Sequence, residues 1–422
     1  MPLPAAPTAE SPAPPASRAS GRISNVSHSL LVSALCGLLL FGPLTMGSVE
    51  EWSVALLEGG AAILLLLWVL WQAASSDIKV EWNPLYTPMA AFFGLGWLQL
   101  AFHTTVYRYN SLSELWQYAA YGFMVFVAVQ LLRRQYLFRF AVVMAGFGSV
   151  YAVFAVLQGF TSGGKIYWWI TPQAGSGYGT YVNHNHHAGL IELLLPMALV
   201  LAFTGRVRGT MRGLLIFGAT LMAASVFLSG SRGGMVAVAV ELAFLAGAWA
   251  HYFSARRSLS LVVAFCLVTA LFLAWVAPGR VGSRMANLHD PSRLLIPRDS
   301  VAMFLAHPFL GVGLGNFSTA FPHYRAFFDG FFVNHAHDDY LELLLETGLA
   351  GFGIAVWFLV VLYRQGLRNF CLARTSRSAE ISAAALAGCT GLLAHSFVDF
   401  NLHIPANAAL FYVLCAVAAA RL

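Results

Sequence analysis

The sequence predicts an all-α integral membrane protein of about twelve spans, read from runs long enough to cross a hydrocarbon core of roughly 30 Å. Three observations carry this. Apolar residues make up 59% of the 422 residues and charged ones only 10%, far from the mix of a water-soluble domain. The apolar runs recur along the whole chain. The basic residues sort between the intervening segments as they do in polytopic membrane proteins.

Taken in order, spans are expected at residues 29–47, 53–74, 86–102, 114–132, 138–158, 186–204, 212–229, 233–252, 260–277, 339–363, 380–398 and 404–421. Residues 1–27, rich in Pro, Ala and Ser, cannot bury a core and are expected to form a disordered tail. The first apolar run lies too far in to act as a signal peptide and is retained as a span. Residues 28–422 then form a single polytopic domain.

Placing the N-terminus in the cytoplasm puts sixteen of the 24 Lys and Arg inside. The outside set is Arg108, Lys165, Arg232, Arg280, Arg284, Arg293, Arg298 and Arg325, and five of these lie between residues 278 and 337. The basic balance, with a pI near 9.1, therefore reports topology plus an arginine-rich exterior pocket and gives no reason to invoke nucleic acid. The five cysteines fall in spans or a cytoplasmic loop, so no disulfide framework is expected.

Two exterior segments are long, roughly 159–185 and 278–337. The second holds a short helix at Ser300–Ala306 and a glycine-rich run from Gly311 to Phe317. No strand precedes that run and no long helix follows, so it does not read as a nucleotide loop. Ten of the thirteen histidines also map outside. Polar chemistry thus gathers on one face.

Four constellations stand out. In FVNHAHDDYLELLLETG, which contains His335, His337, Asp338 and Asp339, a helix starting near His337 brings Asp338, Glu342 and Glu346 onto one face. A carboxylate facing lipid is costly, so this stripe must point into the bundle, toward arginines or water. Asp338 and Asp339 also suit a solvated helix start, whereas His337 suits a general base near neutral pH. In SGSRGG, Arg232 sits among small residues that let a substrate approach, and its guanidinium fork suits phosphate oxygens. A snorkelling interfacial arginine is the plainer alternative. In GTYVNHNHHA, which holds Asn183 and Asn185, the histidines His184, His186 and His187 suggest a metal that His335, His337 and Asp339 would complete, yet no Cys and no HExxH pair assists. Finally Arg293 and Arg298, with Arg280 and Arg284, form either a solvated basic loop or a site for a lipid-borne diphosphate.

Together SGSRGG, the stretch from Ser292-Arg293-Leu294 into His307-Pro308-Phe309-Leu310-Gly311, and Ala336-His337-Asp338-Asp339-Tyr340-Leu341 followed by Glu346-Thr347-Gly348 resemble the O-antigen ligase and O-antigen polymerase superfamily. The resemblance covers about residues 140–365. It implies a multi-span type C inverting glycosyltransferase of the bacterial inner membrane. Such an enzyme moves a glycan from undecaprenyl diphosphate to an acceptor hydroxyl at the periplasmic face, with no cofactor and no metal. Lipid A core, another lipid-linked glycan or a protein would be the acceptor. By that resemblance His337 is the base or acceptor-activating residue, with Asp338 or Asp339 to orient it. Arg232 and Arg293 bind the diphosphate, and Arg298, Asn183, Asn185 and His335 belong to the substrate site. Asp338 stands where the family often has Asn or Ser, and Pro297 where Trp is frequent. Other readings of the same residues are a transporter or flippase, using Glu58, Glu192, Glu241 and Glu342, and a metal-dependent membrane hydrolase.

Overall fold

The computed structural model describes residues 15–420, apart from 75–77, 173–176, 206, 253, 278–291, 328–329, 331 and 373–375. Arg206, Arg280, Arg284, His289 and Arg374 fall outside the described residues, as do residues 1–14 of the expected tail. The helices are α1 (Pro15–Leu44), α2 (Glu51–Ala73), α3 (Tyr86–Ala101), α4 (Arg108–Leu131), α5 (Arg134–Thr161), α6 (His184–Phe203), α7 (Gly209–Ser229), α8 (Arg232–Tyr252), α9 (Ala255–Val276), α10 (Ser292–Ala306), α11 (Phe317–Ala320), α12 (Asp339–Leu372), α13 (Arg377–His395) and α14 (Pro405–Ala418). Two isolated bridges, Ile166 to Ile170 and Tyr178 to Tyr181, are the extended pairings among the described residues.

Eight of these helices are long and apolar enough to cross a membrane, and α14 is a shorter apolar one. With the helical content, this makes the chain a multi-pass membrane protein. The apolar part of α1 runs from Val26 to Leu44, and α10 begins well before the expected Ser300, with Pro297 inside it.

Helix α6 is the centre of the bundle, buried from Asn185 to Ala202, and packs against α5, α7, α8 and α13. Its start is fixed by Asn183, whose Oδ1 accepts from the Asn185 N–H at 2.9 Å, as an N-cap should. At the opposite polarity Gly230 ends α7 in a left-handed conformation (φ 82) and lets α8 begin at Arg232 within two residues. By contrast α9 has few buried residues, and Leu259, Leu267, Leu271 and Trp275 are exposed along it, as lipid contact requires.

Residues 308–316 fold back onto α12. The Leu349 N–H donates to the Pro308 carbonyl (2.8 Å), the Ala350 N–H to Phe309 (3.1 Å), and the Val312 N–H to Leu345 (3.0 Å). Helix α12 kinks at Gly348 (φ 62) to accept them. A Cβ there would lie 2.3 Å from the Phe309 carbonyl carbon, and one on Gly311 2.3 Å from that of Glu346, so the two backbones touch only because both residues are glycine.

Candidate active site

At one end of the bundle the segment before α12 is held at both sides of His337. On one side the Ala336 N–H donates to Glu342 Oε2 (2.7 Å). On the other, Asp338 Oδ1 accepts from the N–H groups of Tyr340 (2.9 Å) and Leu341 (3.0 Å), capping the helix. Between these clamps His337 adopts a left-handed backbone (φ 55). That conformation is uncommon for a residue with a Cβ and costs on the order of 1–3 kcal/mol, a cost found most often where function demands it.

The imidazole so presented is 36% exposed, with Nδ1 4.0 Å from Oδ1 of Asp399, whose side chain is fully buried. The same oxygen lies 3.7 Å from His186 Nε2. Asp399 follows the end of α13 and accepts the Phe400 N–H at 2.8 Å. Burial alone would push its carboxyl up. Hydrogen bonding and charge from His186, with His395 and the Phe400 N–H, instead hold it well below the usual carboxylate range. Phe400 stands among three histidines, stacked on His335 (4.2 Å between centroids) and edge-on to His186 (4.7 Å) and His337 (5.1 Å).

A second, tighter network lies beside it. His335 Nδ1 meets Glu342 Oε1 at 2.9 Å. His403 Nδ1 meets Asp339 Oδ1 at 2.8 Å while its Nε2 faces Glu342 Oε1 at 3.4 Å. With a carboxylate at each ring nitrogen, His403 is held as an imidazolium. Burial opposes that charge more than any single neighbour favours it, but Glu342, Asp339 and Glu346 together raise it well above the ordinary histidine range. Asp339 Oδ2 also accepts from the Ser396 hydroxyl (2.7 Å) and the Leu402 N–H (3.1 Å). Glu346 accepts from the N–H groups of Gly315 (2.9 Å) and Phe317 (2.8 Å). The glycine-rich run therefore wraps its N–H groups around the protein's own Glu346 carboxyl.

These contacts correct the sequence reading in three places. Asp338 and Asp339, expected to orient His337, instead bond elsewhere, Asp338 through Oδ1 to the α12 cap and Asp339 through both oxygens to His403, Ser396 and Leu402. Among the described residues the carboxylate facing His337 is Asp399. The acidic stripe meets histidines and backbone N–H groups instead of arginines. The triple histidine run is split, because consecutive helical positions point apart: His186 faces Asp399, while His187 Nε2 lies 3.1 Å from the Ser225 hydroxyl and stacks on Tyr151.

Of the other expected site residues, Asn183 and Asn185 form the α6 cap described above, with Asn183 Nδ2 also 3.5 Å from His186 Nε2. Arg232 is exposed at the start of α8. Its neighbour Gly233 abuts the His395 ring, one turn before Asp399, so Arg232 shares this end of the bundle with His337. Arg298 is exposed on α10, with Nε 3.0 Å from Asp299 Oδ1. Arg293 is also on α10, and its side chain lies outside the described residues.

Asp399, Phe400 and His403 are the residues that sequence reasoning missed, and His186 was read as a metal ligand and not as a partner of Asp399. The available signal was the density of polar groups in the short stretch Ser396–His403 between two apolar runs.

For a metal, His335, Glu342 and His403 offer ligand atoms all within 4.8 Å of one another. The direct contacts of 2.9 and 3.4 Å that Glu342 Oε1 makes to both imidazoles already use those atoms, so the set fits an ion pair network better than a coordination sphere. The arrangement sets a partly exposed imidazole against a buried carboxylate, with an arginine at the same end.

Comparison with curated proteins found no match. Residues 217–363 do match a family model, described as O-antigen ligase, and this segment holds Arg232, His335, His337, Asp339, Glu342 and Glu346. Over residues 217–363 the chain is thus similar to the O-antigen ligase family, which supports the resemblance to the O-antigen ligase and O-antigen polymerase superfamily.

Proposed function

We propose that this protein transfers a glycan from undecaprenyl diphosphate to an acceptor hydroxyl, as an inverting glycosyltransferase of type C that needs no metal. It would cross the bacterial inner membrane about twelve times, with a cytoplasmic N-terminus, the site at the periplasmic face and residues 278–337 as the large periplasmic loop. The O-antigen ligase domain supports a membrane glycan-transfer role in general. The observation that carries the finer reading is His337: a strained, half-exposed histidine facing a buried carboxylate inside that domain.

The acceptor hydroxyl must lose its proton as it attacks the anomeric carbon, and His337 Nε2, the nitrogen away from Asp399, is the group to take it. A buried anion beside Nδ1 fixes the tautomer and stabilises the imidazolium that forms. The contact of 4.0 Å is long for a hydrogen bond, as is common before substrate closes a site. The departing diphosphate gathers charge, and Arg232, Arg293 and Arg298 would stabilise it more in the transition state than in the ground state. Asn183, Asn185 and His335 would line the substrate. Glu342 and Asp339 would act only by holding His335, His403 and the His337 segment in place.

The experiment is transfer in proteoliposomes from a purified undecaprenyl-diphosphate glycan to lipid A core, to a second lipid-linked glycan and to a protein acceptor, with and without chelator. Product on one acceptor, unchanged by chelator and absent with His337→Ala, is expected. Transport of the intact lipid-linked glycan without any bond cleavage would overturn the reading.

A further inference from the structure

We propose that α10 is an interfacial helix, whose exposed face rests in the lipid leaflet on the His337 side of the membrane. Arg298, Val301 and Leu305 follow the i, i+3, i+7 spacing of one helical face. Val301 is 56% exposed, Leu305 69% and Phe309, just beyond the helix, 71%. The opposite face is spent inside, with Ile296 and Met303 in a small core with Phe317, Phe321, Ala336 and Leu345. An exposed apolar stripe alone would not say what covers it. The hydrogen bonds from Leu349 and Ala350 to the Pro308 and Phe309 carbonyls do, because they fix the end of the stripe at a given level of α12.

That level is the edge of the apolar part of α12. Leu349 and Ala350 directly follow the Gly348 kink and open the uncharged run Leu349–Tyr363 of the candidate span Asp339–Cys371, just after the last acidic residue, Glu346. Gln99 of α3 bridges the same segment and α12, donating to the Leu310 and Glu346 carbonyls (2.6 and 2.8 Å). Leu349 itself is 50% exposed, and its backbone and that of Ala350 pair with Pro308 and Phe309, so exposed Phe309 lies beside the exposed flank of α12. Side chains continuous with a lipid-facing flank are covered by lipid. Arg298, at the polar end of the stripe and 62% exposed, is placed at the level of lipid phosphates, where the diphosphate of a lipid-linked donor also lies.

The inference does not depend on which reaction the site performs. It is tested by placing one nitroxide at a time on Val301→Cys, Leu305→Cys or Phe309→Cys in the full-length protein, with the exposed Cys266 and Cys371 replaced by Ser. The protein is reconstituted in nanodiscs of phosphatidylethanolamine and phosphatidylglycerol. The account expects each label to be more accessible to oxygen than to a water-soluble nickel chelate, with Arg298→Cys more accessible to the chelate than the other three. Equal or greater chelate access at Leu305 and Phe309 would overturn it, since the stripe would then face water. Low access to both relaxants, with broadening between labels, would also overturn it, since a second copy would then cover the face. Blockage of a membrane-impermeant maleimide at Leu305→Cys in native vesicles, and its reaction at Arg298→Cys, gives a second readout that needs no purified protein.

Discussion

Two carboxylate–histidine networks lie side by side in this molecule and differ in tightness. Asp339, Glu342, His335 and His403 are joined at 2.8, 2.9 and 3.4 Å, largely buried, and Asp339 accepts two further donors. Asp399 stands 3.7 and 4.0 Å from His186 and His337, and the second of these imidazoles is open to solvent. A fully satisfied network fixes geometry and resists a change in protonation. One with long contacts and an exposed ring can exchange a proton. The first is suited to scaffold and the second to chemistry, although both are built from the same residue types.

The largest effect that separates them is expected in catalysis. Asp399→Asn should leave the protein folded, since an amide keeps the shape and can still accept the Phe400 N–H. It should lower kcat by about 10²-fold or more through loss of the charge behind His337. Asp339→Asn should show the reverse balance, with a clear fall in thermal stability and a smaller loss of kcat in what remains folded. Parallel behaviour of the two variants in kcat and Tm would remove the distinction.

Next comes His403→Ala. Removing one partner of a buried ion pair costs about 3–5 kcal/mol, and here it strands both Asp339 and Glu342. A large drop in Tm in detergent, with His186→Ala markedly less affected, is the expected order.

The two networks also respond to pH in opposite directions. His403 is held above the ordinary histidine range, so its stabilisation is fully present below the unfolded pKa of about 6.5 and is lost as pH rises through the folded value. Asp399 is held below the ordinary carboxylate range, so its contribution is present above an unfolded pKa of about 3.9 and disappears as pH falls through the folded value. Melting curves across the alkaline range should therefore flatten in His403→Gln, and those across the acid range in Asp399→Asn.

The smallest effect concerns Arg232. Arg232→Lys keeps the charge and loses the fork, so kcat/KM should fall while Tm stays as it was. Unchanged kcat/KM would reduce Arg232 to a plain positive charge at the mouth of the site.

Much of the fold was legible because the bilayer forces it. An apolar run such as Leu259–Val276 has few soluble alternatives, and its surroundings confirm a lipid-facing helix. His337 was legible too, since a histidine at the mouth of an apolar run with carboxylates around it is chemically conspicuous. Its partner was not. Asp338 and Asp339 are adjacent in the chain, but the N–H groups of α12 and the ring of His403 claim them, and neither competitor leaves a trace in spacing. Asp399 reaches His337 only because α12 and α13 pack side by side, the Asp339 N–H donating to the Ser396 carbonyl at 2.9 Å. Glu346 shows the same limit, since the run from Gly311 to Phe317 reads as a glycine-rich loop with nothing in its spacing to say that its N–H groups serve a carboxyl of the same chain.

The most direct test of the central claim is the rate of glycan transfer by His337→Ala, measured in proteoliposomes alongside its Tm and membrane yield. The account predicts transfer lower by about 10² to 10⁴-fold at unchanged Tm and yield. Transfer within a few-fold of the unaltered protein would show that the strained histidine facing Asp399 is not the base.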